Sequence, residues 1–279
     1  MIKKKTTSEN RRILQIAVPS IISNITVPLL GLIDVTIVGH LGSPAYIGAI
    51  AVGGMLFNII YWIFGFLRMG TSGMTSQAYG QHDLNEINRL LIRSVGVGLF
   101  IALCLLILQY PILNAAFTLI QTTEEVKQLA TTYFYICIWG APAMLGLYGF
   151  AGWFIGMQNS RFPMYIAITQ NIVNIIASLS FVYLLDMKVA GVAAGTLIAQ
   201  YAGFFMAILL YMRYYSTLRK RIVWKDIIQK QAMYRFFRVN RDIFFRTLCL
   251  VIVTMFFTSA GAAQGEVVLA VNTLLMQLF

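Results

Sequence analysis

Seven long apolar stretches, separated by shorter polar segments, dominate this chain of 279 residues and limit what it can fold into. A helix needs about 20 apolar residues to cross the hydrocarbon core of a membrane, which is ~30 Å thick. Each stretch meets that length, and an eighth, which begins near Val267, is too short. The sequence therefore predicts an all-α, polytopic transmembrane helical bundle with spans at 13–39, 45–69, 90–113, 129–152, 164–185, 189–212 and 244–263.

The composition excludes an ordinary soluble protein. Hydrophobic residues make up 59% of the chain and charged residues only 11%, whereas about 25% of a soluble domain is charged. The net charge of +11 follows the predicted topology. If the N-terminus is cytoplasmic, most Lys and Arg residues lie on the inner side, and only Lys127 and Lys188 lie outside. This pattern obeys the positive-inside rule and argues against nucleic-acid binding and against a seven-helix receptor, whose N-terminus is normally outside. We expect a multi-pass protein of a bacterial-type inner (plasma) membrane.

The polar segments divide the chain into three parts. Residues 1–213 hold six spans with short connections and are predicted to form an N-terminal lobe. Residues 214–243 are strongly basic and lack Pro and Gly, so we expect a cytoplasmic linker helix that either lies on the anionic inner leaflet or is simply solvated. Residues 244–279 are predicted to begin a second lobe. Its approach at 240–244 resembles the approach to the first span at 10–14, as in transporters built from two parallel halves, so the second lobe is expected to be incomplete here.

Asp34 is the only acidic residue in the first apolar stretch. An ionisable group in a membrane span is costly, about 2.5–3.5 kcal/mol on insertion scales, and therefore tends to line a cavity or an ion path. Its position along the stretch places it in the outer-leaflet half of the lobe. We predict that Asp34 is where a transported cation meets the protein.

Polar residues in the fifth and sixth spans share helical faces. Asn171, Asn174 and Ser178 are three and four residues apart, and Thr196 and Gln200 are four apart, so each set lies on one side of its helix. Such faces usually point into the bundle. The set either forms a polar relay in a cavity facing Asp34 or only joins helices to one another.

Prolines, glycines, aromatics and cysteines in the spans have structural interpretations beside functional ones. Pro19 and Pro28 each remove a helical hydrogen bond and are candidate hinges of the first span, or ordinary kinks. The glycine pairs permit close helix packing. In the fourth span we expect mostly core or interfacial aromatics, of which one or two line a cavity for planar organic cations. The cysteines are expected to be packing residues. The glycine pairs are Gly152/Gly156, Gly191/Gly195 and Gly261/Gly265, the aromatics Tyr133, Trp139, Tyr148 and Trp153, and the cysteines Cys104, Cys137 and Cys249.

Catalytic signatures are missing from the sequence. It contains no HExxH, GxSxG or P-loop motif, and a membrane-embedded enzyme would need an acidic or histidine cluster at one surface. We therefore expect no enzyme, no cofactor and no metal site apart from a possible Na⁺ near Asp34. Any pumping would draw on an ion gradient or on a partner.

Three segments resemble a known transporter family. Residues 30–42 are similar to the first span of multidrug and toxic compound extrusion (MATE) transporters, in particular their DNA-damage-inducible-F-like branch. Residues 66–80 are similar to the end of the second span in that branch, and residues 240–249 to the start of its seventh. The resemblance implies twelve spans in two six-helix lobes around a central cavity, and export of xenobiotics in exchange for Na⁺ or H⁺.

The resemblance also assigns roles to individual residues. Asp34 matches the cation-coupling aspartate of the first span, and Asn174 and Thr196 match an asparagine and a threonine of the family. Ser178 stands where some members carry a second aspartate. The expected function is a secondary active exporter of organic, often cationic small molecules that works by alternating access, with the missing second lobe required for transport. The alternative is a flippase for lipid-linked sugars or another lipid-like substrate.

Overall fold

The computed structural model describes positions 33–40, 42–120, 122–219 and 229–263, together with Leu14, Ala17, Val18, Pro19, Ile21, Ile22, Ile25 and Gly31. These residues form helices and short connections, and none of them lies in a β-strand. Pro28, the part of the predicted linker at 220–228, and the eighth apolar stretch lie outside the described residues. So does Gly265 of the third glycine pair.

Eleven helices are numbered here in chain order. The first, α1, is the end of the first predicted span and covers 33–39. The others are α2 Pro44–Ile63, α3 Phe66–Gly80, α4 Leu84–Ile107, α5 Gln109–Leu119, α6 Glu124–Cys137, α7 Ala141–Gly156, α8 Arg161–Leu179, α9 Lys188–Tyr214, α10 Ser216–Arg219 and α11 Lys230–Ala263.

Five helical segments of the described chain are long and apolar enough to cross a membrane. They coincide with the second to sixth predicted spans and so confirm a polytopic helical bundle. Several are longer than the apolar stretches, because amphipathic turns continue beyond the membrane-compatible core of each helix. Their bounds are Pro44–Gly80, Leu84–Ile107, Glu124–Gly156, Arg161–Leu184 and Lys188–Tyr214.

The second predicted span continues well beyond residue 69. A tight turn joins α2 to α3, in which the Gly65 amide donates to the Trp62 carbonyl at 3.1 Å and the Leu67 amide to the Phe64 carbonyl at 3.0 Å. The helix then runs to Gly80 because Thr71, Met74 and other residues of one α3 face are buried against the bundle. The predicted end of the span is therefore not the end of the helix.

The fourth span contains a local break with a clear cause. Residues Ile138–Gly140 form one 3₁₀ turn between α6 and α7, and Pro142 follows at the second position of α7. Proline has no amide hydrogen to donate to the preceding turn, so it is tolerated only in the first turn of a helix. The chain therefore ends one helix and starts the next just before Pro142.

Glycine lets two helix pairs approach closely. A side chain at Gly152 would collide with the Arg68 carbonyl of α3, and one at Gly156 with Thr75 of the same helix. A side chain at Gly195 of α9 would meet the Ser178 backbone amide of α8 at 2.7 Å. The contacts confirm the predicted packing role of Gly152, Gly156 and Gly195.

The core has two parts, one around α2, α6 and the start of α9, and the other around α3, α4, α7 and the end of α9. Trp153 and Phe154 are fully buried in the second part, and the Trp153 indole donates to the Ile87 carbonyl at 2.8 Å. Beyond α9 and α10, helix α11 runs unbroken through position 243, where the predicted linker meets the second lobe. The end of that linker and the seventh span thus form one helix.

Candidate cation-coupling site

Asp34 is buried inside the bundle. Its side chain is only 5% exposed, and it lies on the face of α1 that also carries the fully buried Val38. The Oδ1 atom of Asp34 has no hydrogen-bond partner among the residues that the structure describes. A buried carboxylate without compensation is strongly unfavourable, so this group calls for a proton or a cation.

Thr196 and Asn174 connect two further helices at this point. The Asn174 Nδ2 group donates to the Thr196 hydroxyl at 3.0 Å, and that hydroxyl is close enough to the Asp34 carboxyl group to interact with it. Helices α1, α8 and α9 thus meet through three polar side chains. The structure brings together the three residues to which the family resemblance gave roles.

Acceptor oxygens without a hydrogen-bond partner also lie on the face of α8 that carries Asn174. Asn174 and Ser178 are fully buried, and neither Asn174 Oδ1 nor Ser178 Oγ has a partner within the described chain. Ser178 packs against Gly195, one residue before Thr196. Buried polar atoms are bonded in more than about 90% of cases. Two unpaired oxygens about one turn apart on α8 therefore make this region suitable for a proton or a hard cation, which prefers oxygen ligands.

The site is not a multi-carboxylate metal centre. Over the described ranges there is no group of three or more His, Cys, Asp or Glu residues that could hold a metal ion. Asp34 is the acidic member, and its neighbours are neutral. A monovalent ion or a proton therefore fits the charge of the site better than a divalent ion does.

Helix α6 contributes two neighbours that the sequence interpretation did not assign to this site. Tyr133 interacts with Thr196 and with Cys137, and both α6 residues lie within the electrostatic influence of Asp34. The Cys137 thiol donates to the Ala193 carbonyl of α9 at 3.7 Å. The available signal was their spacing of four residues, which puts them on one helical face, but nothing in the sequence shows that this face meets α9.

Gln200 belongs to a second polar group. It lies about one turn beyond Thr196 and packs against Gly140, and its side chain is near the Tyr61 hydroxyl. Neither Gln200 Oε1 nor the Tyr61 hydroxyl makes a satisfactory hydrogen bond to a described residue. Asn171 is half-buried one turn before Asn174. The five predicted relay residues thus do not form one cluster. Asn174, Ser178 and Thr196 lie near Asp34, whereas Gln200 lies near Tyr61.

The first helix also borders a cavity on an adjacent face. It has a volume of about 280 Å³ and lies between Thr36 of α1, His40 just after that helix, and Tyr183 of a π-helical turn, Ser180–Leu184. Such turns are frequent at functional sites. Of the two candidate hinges, Pro19 is buried in a helical segment, and Pro28 is outside the described positions.

Comparison with known proteins agrees with this architecture. The sequence model of the MatE family matches residues 19–182, which is more than half of the chain. The chain belongs to the MatE family. This confirms the resemblance seen in the three sequence segments.

The chain is similar to relatives from distant organisms. It is 36% identical over 281 residues to DNA damage-inducible protein F of Escherichia coli K12, a match that covers 98% of this chain and 59% of the relative. It is 28% identical to multidrug and toxin extrusion protein 1 of Danio rerio, over 72% of this chain and 33% of the relative. The chain thus spans well under two thirds of the length of these relatives.

Solved structures show the same fold. A MATE protein in the bent conformation matches with a TM-score of 0.81 and 22% identity, over 95% of this chain and 59% of that chain. The Vibrio cholerae MATE transporter VcmN in the bent form matches with a TM-score of 0.80 and 20% identity, over 99% of this chain and 62% of that chain. This MatE chain therefore has the helical arrangement of the matched part of these solved structures.

Proposed function

We propose that the protein is a secondary active exporter that exchanges organic, often cationic small molecules for Na⁺ or H⁺ by alternating access. Matching relatives are named multidrug and toxin extrusion protein 1 and probable multidrug resistance protein NorM. The observation that carries the proposal is the buried Asp34 carboxyl group with its unpaired oxygen. An ionisable group inside a membrane span is costly and marks a candidate ion path.

The chemistry of coupling follows from the charge of this group. An ionised Asp34 in the closed lobe is a desolvated charge, and a bound proton or Na⁺ neutralises it. The neutral lobe can pack tightly around α1, whereas the ionised form favours a state in which water or an organic cation reaches the carboxylate. Coupling ion and substrate would then exclude one another at Asp34, with bending of the first span at Pro19 and Pro28 as the accompanying movement.

The neighbours of Asp34 support either coupling ion. The unpaired oxygens of Asn174 and Ser178 could complete the coordination of Na⁺, whereas the Thr196 hydroxyl could pass a proton or hold the protonated acid. The second carboxylate of some family members is replaced by Ser178, so a single negative charge is available. No cofactor is needed, because the ion gradient supplies the free energy.

The setting of this activity is also part of the proposal. We place the protein in a bacterial-type inner membrane with the N-terminus in the cytoplasm, since most of the positive charge then lies inside. A second lobe is required, because alternating access moves one repeat against the other around the site. The flippase alternative is not favoured, since relatives that match this chain are named for extrusion of drugs and toxins.

Transport by the complete protein in proteoliposomes tests the proposal. Efflux of a fluorescent organic cation is measured with an imposed Na⁺ gradient, an imposed H⁺ gradient, or neither, for the natural protein and for Asp34→Asn. We expect one gradient to drive efflux and Asp34→Asn to abolish that dependence. The matched control is Asp186→Asn, an exposed acid in the turn before α9, which should transport normally. Gradient-driven efflux that survives Asp34→Asn would refute coupling at Asp34.

A further inference from the structure

A second site lies away from Asp34, where α11 approaches α3 and α4. A cavity of about 560 Å³ opens there, and its walls are formed mainly by aromatic side chains, among them Phe66, Phe100 and Phe244. This volume is within the usual range of small-molecule sites, about 300–1,000 Å³. Phe100 of α4 is 66% exposed on a helix that can span a membrane. The cavity is therefore accessible from the side of the bundle that lipid tails would occupy.

Two arginines border the same cavity. Arg238 and Arg241 are one turn apart on α11, both line the cavity, and both are exposed. Arg241 pairs at 3.2 Å with its chain neighbour Asp242, whose side chain is 62% exposed. Arg238 has no ion pair to any residue that the structure describes. The planar guanidinium fork matches the geometry of a phosphate group, so this edge of an apolar cavity is suited to an anionic head group.

Asn240 lies between the two arginines in sequence and packs against α3. Its side chain is 2% exposed, and its Nδ2 group donates to the Phe236 carbonyl at 2.8 Å. Its Oδ1 atom has no partner in the described part of the chain. The amide is held against Gly70, where no side chain could fit. The Asn240 oxygen therefore faces α3, and Asn240 holds α11 against α3 at the wall of the cavity.

We propose that this cavity binds one anionic phospholipid. The phosphate lies at Arg238 and Arg241, and an acyl chain packs between the aromatic walls. Basic pockets between membrane helices are recognised sites for anionic lipid head groups. A free phosphate ion would use the arginines but not the aromatic walls, and an uncharged lipid would leave the arginines unused. The bound lipid would join α11 to α3 and α4, and this role is independent of cation coupling at Asp34.

Native mass spectrometry of the complete protein, released from nanodiscs of mixed phosphatidylcholine and phosphatidylglycerol, tests the proposal. We expect the natural protein to retain one phosphatidylglycerol. Two changes should reduce that retention. The double variant Arg238→Gln/Arg241→Gln should reduce it at least about tenfold, given the usual contribution of a basic residue near an anionic lipid. Val97→Phe should reduce it because the larger side chain fills the cavity from α4. The control is Arg246→Gln, an exposed arginine of α11 outside the cavity, which should retain the lipid.

A second measurement distinguishes a lipid site from a simple anion site. Phosphatidylglycerol in detergent should raise the melting temperature of the natural protein and not of the double variant, whereas inorganic phosphate should raise neither. Equal protection by phosphate would overturn the proposal in favour of a simple anion site. Full retention by Val97→Phe would overturn it in favour of surface attraction. Absence of retained phosphatidylglycerol from the natural protein would also overturn it, because another part of the complete protein would then fill the cavity.

Discussion

The Asn174 amide donates a hydrogen bond of 3.0 Å to the Thr196 hydroxyl and so ties α8 to α9 beside Asp34. This contact places a neutral dipole, not a second charge, next to the buried acid. The free-energy cost of ionising Asp34 therefore depends on two side chains, Asn174 and Thr196, that cannot themselves ionise. Changes in those side chains should alter coupling without removing the carboxylate.

Thr196→Val tests this dependence, because valine has nearly the shape of threonine and lacks the hydroxyl. The Asn174 donor loses its partner, and a buried group left unpaired costs about 1–3 kcal/mol. We expect a lower melting temperature and a weakened dependence of efflux on the ion gradient, measured in the same proteoliposomes. Thr196→Ser should restore both. Thr132→Val, an exposed threonine that bonds within its own helix, serves as control. Normal coupling in Thr196→Val would mean that the hydroxyl has no part in the site.

Gly195→Ala tests the close contact of α8 and α9. The added carbon would meet the Ser178 backbone amide at 2.7 Å, so the helices must separate and the Asn174–Thr196 bond must lengthen. Overpacking of this kind typically costs about 1–3 kcal/mol, measured as a lower midpoint of thermal unfolding in detergent. The control is Gly96→Ala in α4, where nothing lies within 4 Å of the new carbon. That change should be neutral or stabilising by up to about 1 kcal/mol. Equal effects of the two variants would show that α8 and α9 are not in close contact.

The sequence predicted the spans well because their signal is local. Apolar length alone identifies a membrane helix, and the glycine spacing in 191–195 already indicated close packing. The turn at Gly65 and the continuation of α3 were not predictable, since they depend on burial of small polar residues against α7. The site shows the same limit. Helical spacing grouped Thr196 with Gln200, but the packing of neighbouring helices gives the two side chains different surroundings, and spacing alone does not predict that packing.

Trp153→Phe tests the second core. The Trp153 side chain is fully buried, and its indole donates to the Ile87 carbonyl at 2.8 Å, so phenylalanine loses both a donor and part of the ring volume. We expect destabilisation of roughly 2–4 kcal/mol from the lost hydrogen bond and a small cavity, read from the thermal unfolding midpoint. Trp139→Phe is the matched control, because Trp139 is 56% exposed. It should change stability by no more than about 0.5 kcal/mol. An unchanged midpoint for Trp153→Phe would contradict the indole–carbonyl contact.

Tyr133→Phe tests whether α6 belongs to the coupling site. The ring should stay in place, because it packs against Phe57 with ring centroids 6.4 Å apart and fills the space over Gly53. The lost hydroxyl interacts with Thr196, and through it with the surroundings of Asp34. A donor near a carboxylate stabilises its ionised, ion-free form. Without that donor, the coupling ion should bind more tightly and leave more slowly.

The expected result is therefore a split between affinity and turnover. The concentration of coupling ion that gives half-maximal efflux should fall about fivefold, as for loss of roughly 1 kcal/mol of hydrogen bonding, while the maximal rate declines and the melting temperature changes little. Tyr135→Phe is the control, since Tyr135 is a half-buried tyrosine of the same helix and should leave both quantities unchanged. Weaker binding of the coupling ion in Tyr133→Phe would show that the hydroxyl is a ligand of the ion and not a donor to the empty site.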